Sequence, residues 1–257
     1  YDASMHTPDF LKSGVMYQIF PDRFCNSQTP KQDVQADRWL HEDWYELPDY
    51  QPDSSGRYSN SDYFGGDLAG IISKLPYLKS FGVTSIYLNP IFEAHENHRY
   101  NTANYEKIDP MLGNEEDFRT LCQEAKKLGI QILLDGVFNH TGSDSIYFNK
   151  RRRYGEHTGA YNDPESPYRN WYDFMNYPNA YRCWWGFDTL PNVNERDPAF
   201  REFICGENGV LKKWLRMGAS GFRLDVADEL TSFFLENISA CGKHYSPECA
   251  VIGEVWE

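Results

Sequence analysis

Short apolar runs alternate along this chain with amphipathic segments of ten to fifteen residues, and this rhythm constrains the fold more than any other feature. We predict five strands, at residues 15–20, 83–88, 130–134, 221–225 and 250–253. Nearly continuous apolar strands separated by helices are typical of a parallel sheet that is covered on both faces. The pattern therefore predicts an α/β fold built from consecutive βα units.

Four helical segments precede these strands. They are expected near residues 68–79, from residue 114 onward, over about 199–217 and near 230–240. Asn114 is a suitable N-cap, and the acidic residues at 115–117 suit the positive end of a helix dipole. Eight βα units close a barrel, whereas an arc of five strands leaves long unpaired edges. We therefore predict a (β/α)8 TIM barrel, here with about the first five βα units, and expect the chain to continue beyond Glu257.

Residues 143–195 interrupt the alternation of strands and helices between the third and fourth strands. They are rich in Tyr, Asn, Pro and Trp, and a segment of this length in a compact fold is usually functional. We predict three regions: 1–142 as the first part of the barrel, 143–195 as a small inserted subdomain, and 196–257 as the continuation of the barrel. The inserted segment and a polar stretch at 25–64 both leave from the C-terminal ends of strands, where barrels build their sites.

Charge and composition limit the classes of partner. The net charge of −13 argues against a nucleic-acid partner, because a phosphate backbone selects basic surfaces. No apolar run reaches the ~20 residues that cross a bilayer, so no membrane partner is expected. Aromatic residues make up 16% of the chain, which fits either additional core packing or stacking platforms for a ligand. Nothing in the sequence indicates an oligomeric state.

The cysteines and the first residues of the chain indicate in which cellular compartment the protein is expected. Six scattered cysteines without a Cys-x-x-Cys pair favour buried thiols in a reduced compartment over a disulfide framework or a zinc site. The first residues lack the cationic and apolar layout of a signal peptide. We expect a cytoplasmic protein, with secretion as the alternative.

Charged residues cluster where the last two predicted strands end. Alternation along the strand places Arg223 and Asp225 on the same face, which in a barrel is the lumen. Charged groups there are costly unless paired, so we expect Arg223 beside a carboxylate. Neighbouring parallel strands lie ~4.8 Å apart, which predicts roughly 5 Å between the carboxyls of Asp225 and Glu254. This separation is typical of retaining glycosidases.

Such chemistry requires two carboxyl groups of unequal acidity. We expect Arg223 to keep Asp225 anionic as a nucleophile, and Val255 and Trp256 to raise the pKa of Glu254 so that it acts as the acid. The alternative from spacing alone is a structural Arg–Asp pair and an unrelated surface glutamate.

A series of motifs extends over nearly the whole chain. In order, they are residues 17–24 (YQIFPDRF), 64–68 (FGGDL), 87–92 (YLNPIF), 98–105 (HRYNTANY), 135–140 (DGVFNH), 190–194 (LPNVN), 221–225 (GFRLD) and 253–256 (GEVW). In these motifs the chain resembles the alpha-amylase family, glycoside hydrolase family 13, and within it the neopullulanase and cyclomaltodextrinase branch.

The resemblance implies roles for individual residues. Asp225 corresponds to the nucleophile and Glu254 to the general acid/base, and Arg223 orients Asp225. His140 and Tyr100 correspond to residues that bind the sugar at the cleaved bond. Further positions implied by the family are Asp135 and Asn139, which brace the site, and residues 184–187 (WWGF), which could form outer sugar subsites.

The chain also departs from the family pattern. The family's third carboxylate, an aspartate near the seventh strand, lies beyond Glu257, so we expect these 257 residues alone to be inactive. Some relatives bind calcium after the first strand. Asn26 and Asp67 match that site, but Gln28 and Lys31 stand where acidic or amide ligands would help. We therefore expect no metal and no other cofactor.

These observations predict a retaining glycoside hydrolase that acts on an α-glucan oligosaccharide partner. The resemblance implies cleavage of α-1,4 glucosidic bonds, with α-1,6 bonds as an open option, in maltooligosaccharides, cyclodextrins, pullulan or starch, through a covalent glucosyl intermediate on Asp225. A transglycosylase with the same site is one alternative. A glucan-binding relative that has lost catalysis is the other.

Overall fold

A five-stranded parallel sheet forms the centre of the computed structural model, which describes residues 6–31, 34–52, 54, 56 and 58–256. The first residues, on which the signal-peptide argument rests, and Glu257 lie outside this range. The strands are β1 (Val15–Ile19), β2 (Trp39–Leu40), β3 (Asp62–Tyr63), β4 (Val83–Leu88), β5 (Phe92–Ala94), β6 (Thr102–Ile108), β7 (Gln131–Gly136), β8 (Phe174–Asn176), β9 (Ala180–Tyr181), β10 (Gly221–Leu224) and β11 (Ala250–Gly253). The helices are α1 (Asp9–Lys12), α2 (Leu68–Ser80), α3 (Glu115–Lys127), α4 (Pro198–Cys205), α5 (Val210–Met217) and α6 (Ser232–Tyr245).

The central sheet has the order β1-β4-β7-β10-β11, with every pair parallel. The five predicted strands are therefore confirmed, each within two residues of its expected ends. The strands pair in chain order and helices connect them, as in the first five βα units of a barrel. The predicted fold class is confirmed.

Two helix predictions have different outcomes. Asn114 caps α3 as expected, and Asp117 completes a capping box by accepting from the Asn114 backbone N–H at 2.9 Å. The single helix predicted over 199–217 is wrong, because the structure has α4 and α5 there. The helix ends at Gly206, and Gly209 starts the next one in an extended conformation. Glycine is a poor residue for a helix interior, so two of them in four positions end one helix and start another.

The two faces of the central sheet contact different surroundings. Ile86, Ile132 and Phe222 belong to the main core between the sheet and its helices. Tyr87 and Leu133, one residue further along their strands, lie on the other face with Ala250 and the side chains of α1. Side chains of successive strand residues point to opposite faces, so this second face is the lumen side.

Residues 143–195 contain the antiparallel pair β8–β9 and an aromatic cluster around Phe148. An isolated bridge between His140 and Asn192 joins the end of this segment to the residues after β7. The boundaries of the three regions remain a prediction. No helix in the described part of the chain combines the length and apolar character needed to span a bilayer.

Candidate active site

Five polar side chains lie side by side at the C-terminal ends of four neighbouring strands. Tyr87 is the next-to-last residue of β4, Asp135 lies on β7, and the residue of β10 that pairs with Asp135 is Arg223. Asp225 and Glu254 follow the paired residues Leu224 and Gly253 of β10 and β11. Because parallel strands in register end at the same edge, these side chains meet on the lumen side. The expected common location of Arg223, Asp225 and Glu254 is therefore present.

Arg223 is the centre of this group. Its Nη1 atom lies 3.0 and 2.9 Å from the two oxygens of Asp135 and 2.9 Å from Oδ1 of Asp225. Its Nη2 atom lies 2.6 Å from Oε1 of Glu254. One guanidinium group therefore contacts three carboxyl groups, where the sequence indicated one partner. The contacts raise the pKa of Arg223 in spite of its burial, with Asp135 as the strongest cause.

Asp225 differs in its acidity from the expectation. The carboxyl is 7% exposed, and burial together with the charge of Asp135 raises its pKa to about 7, although Arg223 opposes the shift. Arg223 does lower the pKa of Asp225, as expected, but burial and the charge of Asp135 outweigh it, and the cation is shared with Asp135 and Glu254. Burial therefore favours the protonated form of Asp225 more than the sequence indicates.

The residues that follow Glu254 do not surround it as expected. Val255 and Trp256 are 61% and 69% exposed, so they do not enclose its carboxyl in apolar surroundings. The carboxyl is partly buried, and it accepts from Arg223 and, at 3.1 Å, from the backbone N–H of Val226. Apolar flanking residues in sequence do not predict an apolar environment at the end of a strand.

Val226 has a strained backbone directly after Asp225. Its φ of 41° lies in the left-handed region, which a β-branched residue rarely adopts. This conformation directs the Val226 N–H toward Glu254. Strain of this kind persists only where the surrounding structure fixes it, and it is concentrated at functional sites.

Two tyrosines also hold Asp135, through the same Oδ2 atom that Arg223 contacts. Tyr100 donates to Asp135 at 3.1 Å, and the Tyr87 hydroxyl donates to the same carboxylate oxygen. Asn89 in turn donates to the Tyr100 hydroxyl at 3.0 Å. Burial raises the pKa of Asp135 to about 6, against the effect of Arg223 and the tyrosines. Asp135 thus holds the side chains of Arg223 and Tyr100 in position relative to each other.

Tyr87 and Asn89 were not singled out from the sequence. The available signal was their position: both lie at the end of β4, two residues apart, in the motif at 87–92. Strand alternation places such residues on one face. The same reasoning that found Arg223 and Asp225 could therefore have found them.

His140 lies in the wall of the site. It is 2% exposed, and its Nδ1 atom lies 3.3 Å from Oδ1 of Asn139. Its Nε2 atom is buried without a hydrogen-bond partner in the described part of the structure. Burial lowers the pKa of His140 to about 4, so the ring is neutral at pH 7. Asn139 also accepts from Asn192 at 2.9 Å, which connects the end of β7 to residues 143–195.

These residues surround a cavity of about 410 Å³. Tyr100, His140, Arg223, Asp225 and Glu254 line it together, and Asp135 supports them from behind. The other walls include Trp184, Phe187 and Leu190 from residues 143–195, together with Trp256. An open cavity of this size, with polar groups at its base and aromatic walls, suits a ligand with hydroxyl groups and flat faces.

The loop after β1 does not suit a calcium ion. The Lys31 ammonium lies 2.5 Å from Oδ2 of Asp67, where both side chains are almost fully buried. Ser27 donates to the same oxygen at 2.7 Å, and the other Asp67 oxygen accepts from the Gly70 N–H. A buried cation already satisfies the carboxylate, so a second cation would be repelled. No group of three or more metal-binding side chains occurs in the described residues.

Comparison of the sequence with known proteins identifies its family. The sequence profile described as alpha amylase, catalytic domain, matches residues 18–237, which is most of the chain. The chain belongs to the alpha-amylase family. Its site residues occupy the motifs on which the family resemblance was based, and the resemblance to the neopullulanase and cyclomaltodextrinase branch is confirmed.

Individual relatives match over all or nearly all of this chain. An amylopullulanase of Thermoanaerobacterium saccharolyticum is 42% identical over 100% of this chain and 22% of its own length. Neopullulanase 2 of Thermoactinomyces vulgaris is 32% identical over 97% of this chain and 40% of its own length. The chain therefore spans about a fifth to two fifths of these curated alpha-amylase family relatives.

A solved structure has a similar fold. The cyclic alpha-maltosyl-(1→6)-maltose hydrolase of Arthrobacter globiformis, in complex with its cyclic ligand, has a TM-score of 0.80 and 31% identity. The match covers 98% of this chain and 52% of that one. Such structural neighbours are TIM-barrel enzymes of the alpha-amylase family, which agrees with the five βα units described above.

Proposed function

We propose that the protein containing this chain is a retaining glycoside hydrolase that cleaves α-1,4 and α-1,6 glucosidic bonds in α-glucans. The observation that carries the proposal is the placement of Asp225 and Glu254 on one guanidinium at neighbouring strand ends. Relatives named amylopullulanase and neopullulanase support an α-glucan substrate. Maltooligosaccharides, cyclodextrins, pullulan and starch share the glucosyl unit that the cavity would hold.

In the first step, the Asp225 carboxylate attacks the anomeric carbon of the bound glucosyl unit. Glu254 gives its proton to the glycosidic oxygen as the carbon–oxygen bond breaks, and the shortened glucan leaves. The product of this step is a glucosyl ester on Asp225 and an ionised Glu254. His140 supports the step as a neutral ring whose free Nε2 atom faces a sugar hydroxyl.

In the second step, water attacks the same carbon from the side that the leaving group vacated. Glu254 takes the proton from the water, and the bond between the sugar and Asp225 breaks. Asp225 returns as a carboxylate and Glu254 as an acid. Two displacements at one carbon restore the original α configuration in the product.

Arg223 contributes by neutralising the charge that shifts between the two acids. Asp225 carries the negative charge before the first step and Glu254 carries it afterwards. Because Arg223 contacts both, the guanidinium remains paired with the charged partner throughout. Asp135 and Tyr100 keep the guanidinium and the cavity wall in place.

The stereochemistry of the product tests this mechanism. Proton NMR of the full-length enzyme, recorded in the first minutes of maltoheptaose cleavage, should show the α anomer before mutarotation. Early β product would contradict a retaining mechanism. Incubation with maltotriose distinguishes hydrolysis from transglycosylation, since only a transglycosylase accumulates oligomers longer than the substrate.

A further inference from the structure

Two amide side chains connect the first strand of the sheet to the wall of the site. Gln18 lies on β1, and Asn89 directly follows β4. The Gln18 side-chain N–H donates to Oδ1 of Asn89 at 2.9 Å, and the Asn89 side-chain N–H donates to the Tyr100 hydroxyl at 3.0 Å. The backbone N–H of Asn89 also donates to the Ile19 carbonyl at 2.9 Å, which holds Asn89 against β1. The two amides therefore form an ordered path from β1 to the cavity.

The direction of these hydrogen bonds determines where the Tyr100 hydroxyl donates its proton. An amide group donates only through its nitrogen and accepts only through its oxygen. Because Gln18 donates to the oxygen of Asn89, the nitrogen of Asn89 faces Tyr100, and the hydroxyl accepts there. The single hydroxyl proton is then directed to Oδ2 of Asp135, 3.1 Å away. An Asn89 amide turned the other way would present an oxygen that competes with Asp135 for this proton.

Burial gives these hydrogen bonds their weight. Asn89 is 8% exposed and Asp135 is 2% exposed. A buried carboxylate is destabilised when it loses a donor, because water cannot take the donor's place. Arg223 and Tyr87 also donate to Asp135, so Tyr100 is one of three side chains that do so. The charge of Asp135, and with it the position of Arg223, therefore depends in part on the Tyr100 proton.

We propose that Asn89 is a positioning residue that makes the Tyr100 hydroxyl donate to Asp135. Gln18 sets the orientation of the Asn89 amide. The inference rests on the proposed function, and it extends the group around Arg223 to β1, a strand that carries neither of the proposed catalytic acids. Burial and the charge of Asp135 raise the pKa of Tyr100, so the hydroxyl keeps its proton at neutral pH. The path therefore acts by orienting a hydrogen bond and not by releasing a proton.

The first test is a double-mutant cycle in the full-length enzyme. Asn89→Leu keeps the branched shape of asparagine but neither donates nor accepts. It should lower kcat for maltoheptaose about tenfold, which corresponds to roughly 1.4 kcal/mol of activation free energy, with KM within threefold. In the Tyr100→Phe background, which lacks the hydroxyl, Asn89→Leu should have no further effect on kcat. Thermal unfolding of each variant verifies that it folds.

Two results of this cycle would overturn the inference. The first is an unchanged kcat in Asn89→Leu. The second is a full tenfold loss when Asn89→Leu is added to Tyr100→Phe, because Asn89 would then act by a route that does not include the hydroxyl.

Asn89→Asp tests the direction of donation through its pH dependence. A protonated aspartic acid at residue 89 keeps a donor for the Tyr100 hydroxyl, whereas the ionised form can only accept. The ratio of kcat/KM for the variant to that for wild type should therefore fall about tenfold between pH 4.5 and pH 8. The other titratable groups around Tyr100 are the same in both proteins: Tyr87, His98, Asp135, Arg223 and Asp225.

The opposite trend in this ratio would contradict the inference. A negative charge that acted on Asp225 only through space would raise the pKa of Asp225, so the loss would be greatest at acidic pH. A ratio that does not change with pH would also contradict the proposed direction of donation.

Gln18→Glu tests whether residue 18 orients the Asn89 amide. An ionised glutamate can only accept, so it would attract the nitrogen of Asn89 and turn the oxygen toward Tyr100. We expect kcat to fall about tenfold at pH 8. Gln131→Glu is the matched control, because Gln131 begins β7 at the opposite end of the sheet, where it accepts from Ser220 at 2.7 Å. Equal activity of the two variants would overturn the role of Gln18.

These outcomes are distinct from a failure of the proposed function. A wild-type enzyme that cleaves maltoheptaose leaves the proposed function intact even where the variants overturn the roles of Asn89 and Gln18. A correctly folded wild-type enzyme without activity on any α-glucan would instead refute the proposed function, and this inference with it.

Discussion

The Nη2 atom of Arg223 lies 2.6 Å from Oε1 of Glu254, while Nη1 of the same guanidinium contacts Asp135 and Asp225. A planar group with donors in fixed directions can serve three carboxyl groups at once. The arrangement makes Arg223 the residue on which the relative positions of the two proposed catalytic acids depend.

Replacement of Arg223 by lysine should therefore distinguish the effect of the positive charge from the effect of the planar guanidinium shape. Arg223→Lys keeps one positive charge but cannot bridge Asp225 and Glu254 through two nitrogens. We expect kcat on maltoheptaose to fall by about a hundredfold or more, with little loss of thermal stability. Arg216→Lys, at an exposed ion pair on α5, is the control. Equal activity of the two variants would show that the bridging geometry is unimportant.

The pH dependence of catalysis should reflect the raised pKa of Asp225. The nucleophile must be ionised, and burial raises its pKa to about 7. We expect kcat/KM, which reports on the free enzyme, to fall about tenfold per pH unit below pH 7. Asp135→Asn removes the charge that contributes to this shift, so it should move the acidic limb to lower pH. An unshifted limb in that variant would mean that another group controls it.

The raised pKa of Asp225 should also make the stability of the fold depend on pH. Rising pH, which favours catalysis, should lower this stability. The pKa of Asp225 is higher in the folded chain than its ordinary value of 3.8, so the folded state holds its proton more tightly. This stabilisation is complete below pH 3.8 and is lost as the pH rises through about 7. We expect Asp225→Asn to unfold at a higher temperature than wild type at pH 8, and at nearly the same temperature at pH 3.5. A difference independent of pH would contradict this linkage.

The contact between Lys31 and Asp67 predicts stability without calcium. Added EDTA should leave the melting temperature of the wild type unchanged, because the Lys31 ammonium already neutralises Asp67. Lys31→Met leaves a buried carboxylate with fewer donors and should destabilise the fold by about 3 kcal/mol.

Two further variants complete the test of Lys31, one as a control and one as a test for calcium binding. Lys127→Met removes an exposed ion pair and should cost less than about 0.5 kcal/mol. Lys31→Asp should make the melting temperature rise with added calcium. Loss of wild-type stability in EDTA would show that a metal binds despite the lysine.

The strands were predictable because each is a short apolar run with a clear end, and parallel register then brings those ends together. For this reason the sequence alone predicts that Arg223, Asp225 and Glu254 lie on one face. The acidity of Asp225 could not be inferred in the same way. It depends on Asp135, which lies 90 residues before Asp225 in the sequence, and on how one guanidinium is shared.

Contacts between residues distant in sequence explain most of the other differences between the sequence predictions and the structure. The exposure of Trp256 and the contact of Trp185 with Glu229 arise from loops whose path no periodic pattern specifies. The break at Gly206–Gly209 had a local signal, but the amphipathic pattern on both sides obscured it.

A covalent trap gives the most direct test of the central claim. Incubation of the full-length enzyme with 5-fluoro-α-D-glucosyl fluoride slows hydrolysis of the glycosyl-enzyme, so that the intermediate accumulates. Peptide mass spectrometry should then find one fluoroglucosyl group, attached to Asp225 and absent from the Asp225→Asn variant. Attachment to Glu254, or steady turnover of maltoheptaose by Asp225→Asn at close to the wild-type rate, would contradict the account.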